Sequence, residues 1–300
     1  MKKIILAIFV LAAFIFNACS SDNDISSTSS LTLSISGLEN LGTQYQYEGW
    51  IIVNGKPIST GTFTVDDSGN LSNTSFVVNT SQLAAATRFE VSVEPNPDTD
   101  ALPASTKILS GDFEGNTAAI NSDNSVVSST SAIGSLADAE GKFILATPTD
   151  GSIDNELSGV WFVDNTTGTS IAGLSLPTLS EGWKYEGWVL FYNKPVSTGT
   201  FVKVDMADDN AASSSYKGTA NNGPDFPGED YLTGQAVGVT FPTDLRGAKV
   251  VISVEPNPDN SVKPFVLKPL ELDISSDAVV HKSYDLEAGS VTVLSGTALR

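Results

Sequence analysis

Residues 47–63 read YEGWIIVNGKPISTGTF, and residues 185–201 read YEGWVLFYNKPVSTGTF. The two segments lie 138 positions apart, with no gap between their matching blocks. A third block, VSVEPNPD at 91–98, recurs as ISVEPNPD at 252–259, now 161 positions apart. Blocks that recur in the same order at so long a period indicate a duplicated domain rather than a solenoid. The second copy therefore carries 23 additional residues before its third block.

These blocks have the character of β-strands. Residues 89–94 alternate apolar and polar side chains, and Pro95 ends the strand because it cannot donate to a ladder. Residues 50–53 are apolar on both faces, and Asn54-Gly55 is a hairpin turn signal. Helical periodicity is nearly absent, with one short helical turn expected at 81–88. The sequence predicts an all-β fold of two tandem β-sandwich domains.

The predicted organisation has four parts. They are a signal peptide at 1–18, a lipidated Ser-rich tether at 19–30, a first β-sandwich repeat at 31–150, and a second β-sandwich repeat at 151–300 with the 23-residue insertion. Residues 121–139 are predicted to form a long surface loop. The insertion contains NGPDFPG at 222–228 and is expected to leave the sandwich as a long loop, where function is often found.

The first residues predict export and lipidation. Lys2 and Lys3 precede an apolar run at 4–16, which is too short to span about 30 Å of hydrocarbon comfortably. A membrane anchor made by this run is the weaker alternative. Asn17-Ala18-Cys19 resembles a lipobox, and Cys19 is the only cysteine, so it has no disulfide partner in the chain. We expect acyl chains on Cys19 to anchor the protein, the alternative being an ordinary cleavage site beside an incidental cysteine.

The tether adds a localisation signal. Residues 21–24 (SDND) resemble the acidic signal that sends Bacteroidetes lipoproteins to the outer face of the outer membrane; a solvated linker is the alternative. The sequence predicts a cell-envelope protein, lipid-anchored to the outer membrane and either periplasmic or surface-exposed.

Composition limits the partners. The chain has 16 Lys and Arg against 35 Asp and Glu, a net charge of −19. Such a chain repels phosphate backbones, which excludes nucleic acid as a partner. The acidity suits solubility, a cationic partner or calcium.

Catalytic residues are scarce. His281 is the only histidine, and we expect a structural role for it in a strand. The residue counts exclude cysteine nucleophiles and Cys/His zinc sites, and no Gly-rich phosphate loop is present. The sequence predicts a protein that is not an enzyme and has no catalytic residues, cofactor or metal.

Structural calcium is the remaining alternative, because carboxylates cluster beside the Glu-Pro-Asn-Pro-Asp motifs. The candidate oxygen ligands are Glu94, Asp98, Asp100, Glu255 and Asp259, with Asp205, Asp208 and Asp209 as a weaker group. An acidic, solvated turn explains the same residues.

The tryptophans divide into two groups. Trp50 and Trp188 occupy equivalent repeat positions, which favours packing in the interior. Trp161 and Trp183 have no clear counterpart in the first copy, and an exposed Trp183 would be able to stack on a glycan.

The repeated motifs resemble the extracytoplasmic C-terminal domain of anti-sigma-K factors. The matching positions are Trp50, Pro57, Ser59, Gly61, Phe63, Gly69, Phe89, Val91, Val93, Glu94, Pro95 and Pro103, and then Trp188, Pro195, Ser197, Gly199, Phe201, Val254, Glu255, Pro256 and Pro264. The family usually has two glycines after Glu-Pro, where this chain has Asn-Pro-Asp. The resemblance implies a β-sandwich fold and a role in envelope sensing or partner binding.

Such anti-sigma factors hold a sigma factor with a cytoplasmic domain that precedes a transmembrane helix. We expect neither element here, which argues against direct sigma-factor binding. The leading hypothesis is a non-catalytic envelope lipoprotein that binds a protein partner or polymer. A glycan-binding or adhesive lipoprotein is the first alternative, and a regulator in a sigma-factor pathway is the second.

Overall fold

The computed structural model describes residues 27–99, 101–123, 133, 135–258, 261–291 and 293–300. The signal peptide, Cys19 and most of the tether lie outside these residues, as do Asp100, Asp259 and about half of the predicted 121–139 loop. The described chain consists mainly of antiparallel strands, which confirms the predicted all-β fold.

The first half contains seven strands and one short helix. They are β1 (Thr28–Ser36), β2 (Tyr45–Val53), β3 (Lys56–Phe63), β4 (Ser75–Asn79), α1 (Thr80–Ala85), β5 (Arg88–Pro95), β6 (Lys107–Glu114) and β7 (Thr117–Asn121).

The remainder contains fifteen strands and a 3₁₀ turn at Glu156–Ser158. The strands are β8 (Glu140–Leu145), β9 (Gly159–Trp161), β10 (Val163–Asp164), β11 (Ile171–Ala172), β12 (Leu174–Ser175), β13 (Trp183–Phe191), β14 (Lys194–Phe201), β15 (Gly228–Asp230), β16 (Gln235–Ala236), β17 (Val239–Thr240), β18 (Lys249–Pro256), β19 (Lys268–Asp273), β20 (Tyr284–Asp285), β21 (Glu287–Val291) and β22 (Ser295–Leu299).

Local chemistry explains the predicted turns. Asn54 and Gly55 have φ angles of 52° and 73°, the left-handed pair that a two-residue hairpin requires. The Asn79 side chain caps α1 by accepting a hydrogen bond from the Gln82 amide at 3.1 Å.

The first sheet has eight strands in the order β3-β2-β5-β6-β7-β22-β1-β4. Its edge strands come together, since the rings of Phe63 and Phe76 lie 6.1 Å apart. The enclosed side holds buried apolar residues such as Leu31 and Phe89. The sheet thus wraps around its own core.

The second half forms two larger sheets. One has the order β14-β13-β18-β19-β21, and the other β12-β8-β9-β15, with β20 also paired to β8. Phe143 and Phe162 are buried in the same apolar cluster as the core of the first sheet. The two repeats therefore share a continuous apolar interior.

Two strands cross the predicted boundary near residue 150. The last strand, β22, lies in the first sheet between β7 and β1, whereas β8 pairs with β9, β12 and β20. The repeat alignment makes β12 the counterpart of β1, because the Tyr47 and Tyr185 hydroxyls donate to the carbonyls of Glu39 and Pro177, again 138 positions apart. The strands β22 and β8 thus occupy equivalent positions. Each repeat receives its closing strand from outside its own predicted limits, which themselves stay predictions.

The insertion contains a long loop, since residues 202–227 form no helix or strand, but part of it folds back against the second repeat rather than leaving it. Its strand β15 pairs with β9, and Phe226 packs against Trp161. The rings of Tyr216, Tyr231 and Phe241 lie within 5.1–6.1 Å of one another. Aromatic burial holds the insertion against the second repeat.

Candidate functional site

The Trp and Glu-Pro blocks meet in a chain of hydrogen bonds. The Trp50 indole donates to the Ser92 hydroxyl oxygen at 2.8 Å, and that hydroxyl donates to the Glu94 carboxylate. The same carboxylate accepts from the Ala104 amide at 2.8 Å. Trp50 is 1% exposed. Its side chain lies on the opposite face of β2 from Ile51, which is part of the apolar core. This chain of hydrogen bonds therefore fixes the β5–β6 connection to the outer face of the sheet.

The second repeat reproduces the arrangement. Trp188 donates to Ser253 at 2.8 Å, Ser253 donates to Glu255, and the Phe265 amide donates to Glu255 at 2.8 Å. Both indoles are buried, as predicted for Trp50 and Trp188. The conserved spacing within each repeat thus serves the architecture.

A second buried carboxylate lies beside each of these two chains of hydrogen bonds. Glu48 accepts from Ser59, and Glu186 accepts from Ser197. Burial raises the pKa of Glu94, with smaller contributions from the charges of Asp98 and Glu48. A buried carboxylate that accepts several hydrogen bonds, one from a backbone amide, is held in one orientation.

Among the described residues, these carboxylates are not grouped as metal ligands. Across the described ranges, no group of three or more His, Cys, Asp or Glu side chains is arranged to hold an ion. Glu94 and Glu255 instead bind backbone amides of their own connections. Of the weaker group, Asp209 pairs with Lys184 at 2.7 Å, and Asp208 accepts from the Gly228 amide at 3.1 Å.

The turns after Glu94 and Glu255 stand where the chain enters the central strands. The Asn96 amide donates to the Gln44 carbonyl, and the Asn257 amide donates to the Gly182 carbonyl, each at 2.7 Å. The two repeats therefore present equivalent surfaces made of a proline turn and a strand entrance.

A groove of about 450 Å³ separates the strand entrance of the first repeat from the proline turn of the second. We call it the inter-repeat groove. The Tyr45 hydroxyl reaches the Pro258 carbonyl across it at 3.4 Å. Among the described residues, its lining comes from residues 39–45, Asp67 and Val93 on one side, and from Glu255, Pro256, Pro258, residues 261–263 and Phe265 on the other. Both repeats are needed to form it.

The equivalent place on the other side is filled. A side chain on Gly182 would lie 2.7 Å from the Ser105 hydroxyl oxygen, so the chains are already in contact there. Trp183, the counterpart of Tyr45, is buried, with its ring 5.9 Å from that of Phe265. The glycan-stacking alternative required Trp183 to be exposed, and packing specific to the second repeat covers this ring instead. The open groove is therefore not a requirement of the fold.

His281 lies in a turn rather than in a strand, with a φ angle of 60°. Its side chain is exposed, and Nε2 lies 2.9 Å from a carboxylate oxygen of Glu156. Glu156 also lines a cleft that contains Ser158, and His281 is not part of that lining.

The insertion carries three buried carboxylates among its described residues: Asp208, Glu229 and Asp230. Burial raises the pKa of Asp208 to about 6 and that of Glu229 to about 8, where the nearby charges of Asp208 and Asp230 add to the effect. Asp230 accepts from the Trp161 indole at 2.6 Å and from the Thr149 amide at 2.7 Å. These groups tie the insertion to the second repeat, and sequence reasoning noted only Asp208.

Sequence reasoning also missed the groove and Tyr192. Tyr192 is 94% exposed at the tip of the β13–β14 hairpin, where its φ angle is 50°. Its counterpart, Asn54, is a residue suited to that backbone. In the sequence, the only indication was that the second repeat has Tyr192 where the first has Asn54.

In the portion of the chain that the structure covers, no helix has the length and apolar character needed to cross a bilayer.

Comparison with known proteins gives one match. Residues 24–108 match the family described as "Anti-sigma-K factor rskA, C-terminal". No curated protein matches the chain. The matched residues cover most of the first repeat and include its Trp, Pro-Ile-Ser-Thr-Gly and Val-Glu-Pro blocks. The chain thus carries a domain similar to the C-terminal part of anti-sigma-K factors.

Proposed function

We propose that this chain is a non-catalytic, lipid-anchored protein of the cell envelope that binds a partner protein in the inter-repeat groove. The similarity to a family of regulatory proteins supports a protein partner. The observation that carries the proposal is the groove itself, which both repeats line although the equivalent junction is filled. Concave sites that mix apolar walls with a few polar groups are typical of binding sites.

The lining indicates the chemistry of the partner. Glu39, Asp67 and Glu255 bring carboxylates to the groove, and Lys263 is the one basic residue in its described lining. Leu41 and Val262 supply apolar surface. With a net charge of −19 on the whole chain, the field favours a basic segment carrying an aliphatic or aromatic anchor.

Anchoring decides which proteins are reachable. Lipid on Cys19 would place both repeats outside the cytoplasm, away from sigma factors. We therefore propose an envelope protein as the direct partner, with any influence on a sigma factor transmitted through it. Labelled palmitate is expected to enter the wild-type protein and not the Cys19→Ser variant. Equal labelling of both would refute this anchor.

Site-specific photo-crosslinking in cells tests the groove. Val262 lines it and is 80% exposed, whereas Val77 is 74% exposed on the edge strand β4. A photoreactive amino acid at 262 is expected to give a discrete protein adduct that the same probe at 77 does not give. Identical adduct patterns at the two positions would contradict the proposal.

Glycan binding is a second candidate, favoured by Tyr192. A bulky residue in left-handed backbone costs stability, and such strain is often kept for function. Lys194 lies two residues after Tyr192 in the same hairpin. Its Nζ approaches Gly238, at 3.3 Å from the position that a Cβ on that glycine would take. A glycan array with the wild type and Tyr192→Asn tests this role, which requires binding that the substitution removes.

A further inference from the structure

The closing strand of the first repeat is held mainly by its backbone and one cation. β22 pairs with β1 on one side and β7 on the other. Of its five residues, only Ala298 is fully buried, whereas Ser295, Thr297 and Leu299 are exposed. Little apolar surface within the strand itself therefore resists its departure, and Leu294 just before it is the one core side chain attached to it among the described residues 293–300, besides Ala298.

The following residue, Arg300, supplies the specific contacts. Its guanidinium donates to the carbonyls of Leu83 and Ala86 at 2.8 and 2.7 Å, and to that of Gly115 at 2.9 Å. It also lies over the Phe113 ring at 4.3 Å. These carbonyls come from the end of α1 and from the β6–β7 turn, so Arg300 joins three separate segments.

The space between β1 and β7 selects its occupant. A side chain at Gly296 would lie 2.6 Å from the Ser34 carbonyl oxygen, so a strand without glycine at this position fits poorly. Four positions later, the carbonyls of Leu83, Ala86 and Gly115 require a guanidinium. The sequence SGTALR at 295–300 meets both conditions. We name this space the β22 slot.

The equivalent strand of the second repeat is held differently. β8 buries Phe143 and Leu145 completely in the apolar core. Its removal would expose these large apolar side chains to water, which strongly opposes its departure. Exchange is therefore confined to the first repeat.

We propose that the β22 slot is an interaction surface for a second copy of this chain, which inserts its own residues 295–300 between β1 and β7. The exchanged strand remakes every hydrogen bond and the Arg300 contacts, so the two arrangements differ mainly in the effective concentration of the strand. β-Strand addition of this kind obtains its affinity from the backbone ladder and its specificity from a few side-chain positions. Gly296 and Arg300 provide that specificity.

Cysteine pairs split between two chains test the exchange. Ser34 and Thr297 are directly opposite and exposed, as are Thr32 and Leu299. Full-length chains in a Cys19→Ser background, one with Ser34→Cys and one with Thr297→Cys, are mixed at about 1 mM, the range of intramolecular effective concentrations. Mass spectrometry of the oxidised mixture then identifies the linked peptides. The pair Thr32→Cys and Leu299→Cys repeats the measurement.

Two controls set the scale. A single chain that carries both Ser34→Cys and Thr297→Cys shows that this pair forms a disulfide in the observed geometry. Val77→Cys in place of Ser34→Cys measures the yield of linkage from random collision. The proposal expects linked heterodimer at least tenfold above the Val77 control, and its loss when the Thr297→Cys chain also carries Arg300→Ala. Yields at the level of the Val77 control for both split pairs would overturn it.

Discussion

The Trp50 indole nitrogen lies 2.8 Å from the hydroxyl oxygen of Ser92, and the same distance separates Trp188 from Ser253. Duplication has thus preserved a buried polar chain that runs from a tryptophan through a serine to a glutamate. Because the glutamate also binds the amide of the following connection, this chain of hydrogen bonds positions the proline turn of each repeat, and the turn of the second repeat borders the inter-repeat groove. The motif shared with the anti-sigma-K family is therefore architectural, and the groove arises where the repeats differ.

The serine in this chain is expected to matter for stability. Ser92→Ala leaves the Trp50 donor without its acceptor and removes one donor from Glu94, which predicts a loss of about 1–3 kcal/mol in the free energy of unfolding. Urea unfolding followed by circular dichroism measures it. Ser34→Ala, on an exposed position of β1, is the matched control and should change stability by less than about 0.5 kcal/mol. Equal effects of the two substitutions on the free energy of unfolding would contradict a stabilising role for this chain of hydrogen bonds.

Stability is expected to fall as the pH rises. Burial raises the pKa of Glu229 to about 8 and that of Asp208 to about 6. A carboxyl whose pKa is raised by folding stabilises the folded state fully below its unfolded pKa and loses that contribution as the pH rises through the folded value. Thermal unfolding between pH 5 and pH 9 should show Tm decreasing with pH.

Glu229→Gln separates this effect from general charge repulsion. The amide keeps the size of the side chain and cannot ionise, so the decrease in Tm between pH 6 and pH 9 should become smaller. Glu114→Gln is a suitable control, since Glu114 lies exposed at the end of β6 and its substitution removes one carboxylate in the same way. A pH dependence changed equally by both variants would show that net charge, and not Glu229, causes it.

The hairpin tip at Tyr192 is expected to be strained. Asn tolerates left-handed backbone better than Tyr, and the exposed ring contributes little packing, so Tyr192→Asn should stabilise the protein by roughly 0.5–1 kcal/mol. Asn54→Tyr places the reverse change in the first repeat and should destabilise by a similar amount. Chemical denaturation of both variants checks the pair of signs. Destabilisation by Tyr192→Asn would mean that the ring makes contacts that outweigh the strain.

Much of the architecture was readable from the repeats. Alternation at 89–94 predicted β5, Asn54-Gly55 predicted the first hairpin, and the equivalence of Trp50 and Trp188 predicted their burial. These features are local, or they follow from comparing one copy with the other. Such signals do not depend on how the two copies meet.

The errors concern contacts between distant segments. The glycan-binding alternative needed an exposed Trp183, but this ring packs on Phe265, a residue 82 positions later. The sequence SGTAL at 295–299 has almost no apolar pattern, and its partners in β1 lie more than 250 positions away. The insertion lacks repeat signals, so its aromatic packing was not predictable from a comparison of the copies. The lipid anchor at Cys19 stays a prediction.

The central claim is that a basic segment of an envelope protein occupies the inter-repeat groove. Charge reversal tests it most directly: adduct yield from a photoreactive residue at 262 is measured in cells for the otherwise unchanged chain and for one carrying Glu39→Lys and Asp67→Lys. The account predicts at least a tenfold loss of adduct at unchanged protein level. An adduct of undiminished yield would contradict it.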